Sequence, residues 1–273
     1  MFEPRIHRNR ASSAAGLLAL IYHSTVYEVR KGHGAGGLGL ITSVFQTLLM
    51  VAVFYAFYML LGLRGSAIRG DFMLYILSGV FLYIMHVKAI GAVFSASGPT
   101  SPMMLHAPMN TIIAIAAAAL GALYLQMLSI LVILFVYHAA ITPISIHDPL
   151  GALGMVLLAW FSGVAIGMVF LAAKPWQPRA VGMIRAIFTR LNMFASGKLF
   201  VANQMPGYML VYFTWNPLFH IIDQARGYTF LNYNPHFSSV SYPIYVSLAL
   251  IMVGLMGEFF TRQHASASWA ARQ

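Results

Sequence analysis

Cysteine is absent from this chain, and acidic residues nearly so: six Asp and Glu in 273 positions. The first absence removes any disulfide framework and any thiol chemistry. The second leaves six carboxylates scattered along the chain, with no dyad of the kind a membrane-embedded hydrolase or transferase uses. No G-x-x-x-x-G-K-[ST] loop occurs. Its nearest approach, Gly197-Lys198, is followed by Leu199, so this chain holds no ATP through a Walker loop. There is no H-E-x-x-H, and the ten histidines contain no i, i+4 pair, so a helical zinc site has no basis. No G-x-S-x-G elbow is present. Charge of either sign is scarce, at 8% of residues against about 25% in a soluble domain.

What fills the chain is apolar, 60% of it. Such a composition cannot cover a soluble surface, so lipid must be the main solvent. A hydrocarbon core takes about 20 apolar residues per helix. Six segments qualify: Leu40–Leu63, Phe72–Ser95, Asn110–His138, Leu150–Ala172, Val181–Gln204 and Tyr242–Phe260. The fifth carries Arg185, Arg190 and Lys198, with the two arginines placed to snorkel to headgroups. The expected class is an all-α polytopic membrane protein with six transmembrane helices. The formal charge of +10 fits the positive-inside rule better than nucleic-acid binding, because the Lys and Arg residues flank apolar runs. Those before the first span, between spans four and five, and in the tail place both termini in the cytoplasm. The chain then divides into a cytoplasmic segment 1–37, a transmembrane domain 38–260 and a cytoplasmic tail 261–273.

In "AGLLALIYHSTVYEVRKG", Leu18, Tyr22, Val26 and Val29 recur at helical spacing, as in an amphipathic helix lying in the headgroup layer. Gly32, Gly34 and Gly37 match G-x-G-x-x-G, but they sit between that helix and a span, with no acidic partner downstream. They read as a flexible joint rather than a dinucleotide loop. Gly163 and Gly167 form a small-xxx-small pair suited to close helix packing. Phe54, Tyr55, Phe57, Tyr58 and Tyr83 read as an interfacial belt or as a stacking surface for sugar rings. Lys88 is an intramembrane cation, either snorkelling to lipid phosphate or facing a pathway. The cytoplasmic loop 95–110 is broken by three prolines around Met103, Met104, Leu105 and His106, an apolar turn suited to a partner's groove.

The stretch "TWNPLFHIIDQARGYTF", residues 214–230, concentrates polar groups before the last apolar run. Asn216 followed by Pro217 is a helix start, and Gly227 a natural stop. The resulting helix of about ten residues is roughly 15 Å long, half the hydrocarbon thickness. With "YMLVYFTW" ahead of it, it reads as a re-entrant pair over 206–227. Asn216, His220, Asp223 and Gly227 share one face, and Asp223 and Arg226 stand at pairing distance along the helix. The cluster either gates a pathway or braces the loop.

The run "FASGKLFVANQMPGYMLVYFTWNPLFHIIDQARG", residues 194–227, resembles the region before the last span in type-2 ABC exporter permeases. It is most similar to those exporting capsular polysaccharide and O-antigen. The shared features are Ser196-Gly197, Pro206, Asn216-Pro217-Leu218, His220, Asp223 and Arg226, with Asp where the family more often has Glu. "VYEVRKGHGAGGLGLITSVFQTLL" is similar to the family's interface helix leading into span one, without its usual Trp and Pro. "MMLHAPMN" resembles the loop that touches the ATPase. The resemblance implies a homodimeric permease in a bacterial inner membrane, with two copies of a separate ATPase that holds the ATP and Mg. The cargo would be a lipid-linked polysaccharide passed on to periplasmic and outer-membrane proteins. Neither catalytic residues nor a metal belongs to this chain on that reading. External gate candidates are Asn216, Pro217, His220, Asp223 and Arg226. Substrate-path candidates are Tyr55, Tyr58, Lys88 and Arg190. ATPase-contact candidates are Met103, Met104, Leu105, His106, Glu28 and Arg30. Export of a drug or lipid, and a membrane-embedded glycan or lipid transferase, are the alternatives.

Overall fold

A computed structural model describes residues 10–31, 38–60, 62, 68–98 and 110–264. Its helices are α1 (Arg10–Lys31), α2 (Leu38–Leu60), α3 (Phe72–Ser95), α4 (Thr111–Ala140), α5 (Pro149–Ala173), α6 (Pro178–Ala195), α7 (Gly207–Leu210), α8 (Pro217–Thr229) and α9 (Ser241–His264). Among the described residues five are long and apolar enough to cross a membrane: α2, α3, α4, α5 and α9. Their bounds lie within a few residues of the expected spans.

The sixth expected span, 181–204, does not form one helix. α6 stops at Ala195, because Gly197 adopts a left-handed φ of 75° and turns the chain. A side chain is excluded there in any case, since a Cβ would stand 2.7 Å from the Phe219 ring. α6 has 18 residues and carries Arg179, Arg185 and Arg190. Its side chains meet α3 at two points, and a third meeting follows in the turn after α6. The Arg185 guanidinium lies 4.6 Å from the Phe94 ring centre, the Tyr83 hydroxyl donates to Thr189 O, and the Lys198 Cβ abuts Gly79. Phe94 to Gly79 covers about 22 Å of helix axis.

Two of the six acids begin helices. Asp71 accepts from the backbone of Met73 and Leu74, and Asp148 from that of Leu150 and Gly151. Asp71 also accepts from the Tyr137 hydroxyl, tying α3 to α4. Carboxylates used this way neutralise orphan backbone donors and are not free for catalysis.

α3 is the axis of the bundle, with 78% of its most apolar window buried against 22% for α2 and α9. Polar side chains inside it are therefore held by protein rather than lipid. α5 packs on α3 where the small pair predicts: a Cβ on Gly163 would stand 2.4 Å from His86 O, and one on Gly167 2.9 Å from the Val93 Cβ. The neighbour that Gly163 and Gly167 serve is thus in the same chain. Across the other side of α5, Gly254 of α9 meets Met168, and the Thr261 hydroxyl donates to Ala172 O.

The bundle has two polar ends. At one, residues 69–71, 142–147 and 229–232 line a common cavity, and His147 N donates to Thr229 O. At the other, Lys174 and Arg185 both lie on the Phe94 ring, and Trp176 Nε1 donates to Thr261. Burial and the Arg185 charge hold the Lys174 ammonium below its usual pKa. α1 packs along α4, with Val29 against Gly121, while Leu18 and Tyr22 of its apolar face remain exposed.

Candidate functional site

α8 starts as the sequence dictates. Asn216 is the N-cap, its Oδ1 accepting from Leu218 N at 3.0 Å, and Pro217 follows at the first position. The cap's other end also works: Asn216 Nδ2 donates to Asn192 Oδ1 and Ala195 O, fastening α8 to the end of α6. Asn216→Ala is expected to lower stability by about 1–2 kcal/mol, read as a drop in thermal midpoint, since cap and cross-link are lost together.

The helix does not end at Gly227 but continues to Thr229, 13 residues or about 20 Å. Gly227 is needed for another reason: a Cβ there would meet the Pro235 ring at 2.8 Å. Of the stripe, His220, Asp223 and Gly227 form the face on which the chain folds back before α9, while Asn216 faces the end of α6. Asp223 accepts from the hydroxyls of Tyr233 and Ser238. His220 Nδ1 accepts from Ser239 N, and its Nε2 faces Thr214 O at 2.7 Å, which places the proton on Nε2. Burial and the Asp223 carboxylate push the Tyr233 phenol above its ordinary range, so it stays a donor.

Burial holds the His220 imidazole below its usual pKa, against the opposing pull of Thr214 O and Asp223. A base with a depressed folded-state pKa binds protons more readily when unfolded. Its contribution is intact above the unfolded value, about 6.5, and is lost as pH falls toward the folded one. His220→Gln is accordingly expected to flatten the fall in thermal midpoint between neutral and mildly acidic pH. An unchanged slope would show that His220 does not carry it.

Asp223 and Arg226 do not pair. Arg226, 1% exposed, turns away from Asp223 and fills the turn after α6. Its Nη1 donates to Gly197 O and Phe200 O, and its Nη2 to Lys198 O. The Tyr58 hydroxyl donates to Leu199 O at 2.6 Å, so four consecutive carbonyls are satisfied by two side chains. The guanidinium also lies 4.3 Å from the Tyr75 ring centre. All five expected gate residues are buried, and the four with polar side chains bond within the chain.

The expected path residues do not converge. Tyr58 is buried among Phe72 and Tyr75, whereas Tyr55 is exposed beside Phe72. Beyond Tyr58 a cavity of about 410 Å³ runs along residues 199–206 to Met209 and Phe213. Lys88 sits elsewhere, its ammonium on Ser43 at 2.7 Å, and Arg190 is exposed on α6. Glu28 lines the cavity beside Lys88, and Arg30 is exposed. Met103, Met104, Leu105 and His106 lie outside the described residues, as do glycines 32, 34 and 37. Among the described residues no group of three metal-ligating side chains occurs.

Two buried charges escaped the sequence reading as site candidates. Lys198 is 2% exposed, and among the described residues its ammonium has no hydrogen-bond acceptor. It is held by the faces of Tyr83 and Phe54, 3.2 and 4.6 Å from the ring centres. Glu258 is buried on the α5 side of α9, with one carboxylate oxygen unpartnered among the described residues. Aromatic faces distant in sequence partner Lys198, and no local spacing announces them.

No family model matches the chain, and no curated protein matches it.

Proposed function

We propose that this chain is the membrane subunit of an ATP-driven exporter carrying a lipid-linked polysaccharide across a bacterial inner membrane. The observation that supports it best is the assembly around α8. Ser196-Gly197, Asn216-Pro217, His220, Asp223 and Arg226, the residues of the family resemblance, fall together into one buried element just before the last span. α6 with the 196–201 turn supplies a sixth crossing beside α3, and the short α7 and α8 form the external re-entrant pair. α1 is the interface helix, its exposed Leu18 and Tyr22 entering the headgroups.

Two copies would pair, each with a separate ATPase subunit that holds the ATP and Mg, and the cargo would pass to periplasmic and outer-membrane proteins. The apolar outer face of α6, with Met183, Ile184, Ile187, Leu191 and Phe194 exposed, suits lipid or a second copy. In this reading the α8 cluster braces the external end rather than swinging as a gate, because Asn216, His220, Asp223 and Arg226 each already bond within the chain.

Deletion of the chain is expected to abolish surface glycan while the lipid-linked precursor accumulates inside; normal glycan in the deletion strain would sink the proposal. Topology can be read with single cysteines, since none is native. Ser145→Cys and Asn234→Cys should react with an impermeant thiol reagent on intact cells, and Gln177→Cys only after permeabilisation. Equal labelling of all three would refute the six-crossing arrangement.

A further inference from the structure

We infer that the cavity between α1, α2, α3 and α4 binds the phosphate of a membrane lipid, with the Lys88 ammonium as its anion-binding group. The cavity measures about 250 Å³. Lys88 reaches it from α3, the most enclosed helix of the bundle. An ammonium offers three donors. One goes to Ser43 Oγ, which is itself fixed by Ser129 on α4. Among the described residues the other two have no hydrogen-bond partner, and no carboxylate pairs with Lys88. Glu28, on the α1 wall, has an interaction of its own. A cation at this depth is costly unless something compensates it, and a neutral hydroxyl does so only in part.

The surroundings select an anion on a greasy tail. Gln46 and Ser95, both exposed, bring further donors to the rim of the cavity. The remaining wall is apolar: Ala92, Ala118, Ala122 and Leu125. Lys88 lies seven residues from the end of α3, about 10 Å along the axis, so a lipid phosphate drawn in at that end of the helix has a short way to the ammonium. A phosphate oxyanion there would take the ammonium's free donors while its tail follows the alanine wall. Inorganic phosphate would have to leave water with no tail to bury. The lipid could be a bulk anionic phospholipid or a polyprenyl phosphate. The inference stands apart from the export reading, since it needs neither an ATPase nor a glycan.

The test is native mass spectrometry of the full chain in detergent. The probes are phosphatidylglycerol, a polyprenyl monophosphate, inorganic phosphate and diacylglycerol, which carries no phosphate. At least one of the two phosphate-bearing lipids should be retained about tenfold more strongly than diacylglycerol, the scale of one charge-assisted hydrogen bond. Retention of phosphatidylglycerol would name a bulk-lipid site; retention of the polyprenyl phosphate alone would name a carrier-lipid site. Lys88→Gln should lose the preference and Lys88→Arg keep it. Ala122→Phe fills the cavity without touching the cation and should also lose it, so the test survives if Lys88→Gln does not fold. An unchanged preference in a folded Lys88→Gln or Ala122→Phe overturns the inference. So does equal retention of all lipids by the unmodified chain, or retention of inorganic phosphate alone.

Discussion

Arg226→Met is expected to cost about 4 kcal/mol of stability, the largest single loss on the surface of α8. The substitution keeps the buried volume roughly filled but removes every donor to Gly197 O, Lys198 O and Phe200 O. A bond from a charged donor is worth about 1.5–3 kcal/mol, and buried acceptors left empty add their own desolvation penalty. Losses above about 4 kcal/mol come from few mechanisms, a broken buried network among them. Water in the cavity beside Tyr75, Leu199 and Phe200 can reach part of the turn, but the bonds to Gly197 O and Lys198 O are buried and gain little from it. Arg226→Lys should recover less than half, since one ammonium cannot span three carbonyls fixed for a planar fork. Tyr58→Phe, which frees only Leu199 O, should cost about 1 kcal/mol. Thermal unfolding in detergent orders the three. A midpoint for Arg226→Met within error of the parent would show that the turn does not depend on the guanidinium.

Gly163→Leu should be comparably damaging by an opposite route. Nothing is left empty; the α3–α5 seam is overfilled. A Cβ alone would press on His86 O at 2.4 Å, and that atom is backbone, which cannot rotate away. Overpacking of this kind costs about 1–3 kcal/mol or more. The His86 ring is tied to the same place, its Nδ1 on the Ser162 hydroxyl at 2.9 Å, so separating the helices also breaks that bond. Gly163→Ala should already lower the thermal midpoint, and Gly163→Leu should leave little monodisperse protein on size exclusion. Gly154→Leu is the control on the same helix, since nothing lies within 4 Å of a Cβ there. Equal behaviour of the two leucine variants would remove the close seam from the account.

The membrane helices were legible because their signal is long: twenty apolar residues outvote any local irregularity. The small pair Gly163 and Gly167 was legible for the same reason, being a periodic feature of one helix. The Asn216-Pro217 start was legible because capping is chemistry between neighbours. Legibility ended where a partner comes from far along the chain. The Asp223–Arg226 pairing looked natural at i, i+3, yet each found better partners: two hydroxyls from the 233–238 return for the acid, three carbonyls of the 197–200 turn for the base. Gly227 looked like a stop and is a contact with Pro235. The apolar run continues through Gly197, so the sequence alone predicts an unbroken fifth span there. The left-handed turn there is stabilised by Arg226, 29 residues later.

The same geometry separates bracing from gating. Asp223→Asn keeps an acceptor for one hydroxyl, while the other hydroxyl can rotate to accept from the new amide. A brace tolerates that exchange with a modest loss of stability and near-normal transport; a gate that depends on the charge does not.

A permease of the proposed kind moves a lipid-linked glycan only when a separate ATPase drives it. The direct measurement is uptake of a lipid-linked polysaccharide into the lumen of inverted proteoliposomes containing the purified chain, with and without its ATPase partner. Accumulation is expected to require the partner, ATP and Mg, with none for the chain alone. Glycan movement by the isolated chain, or none by the complete complex with ATP present, would contradict the proposal.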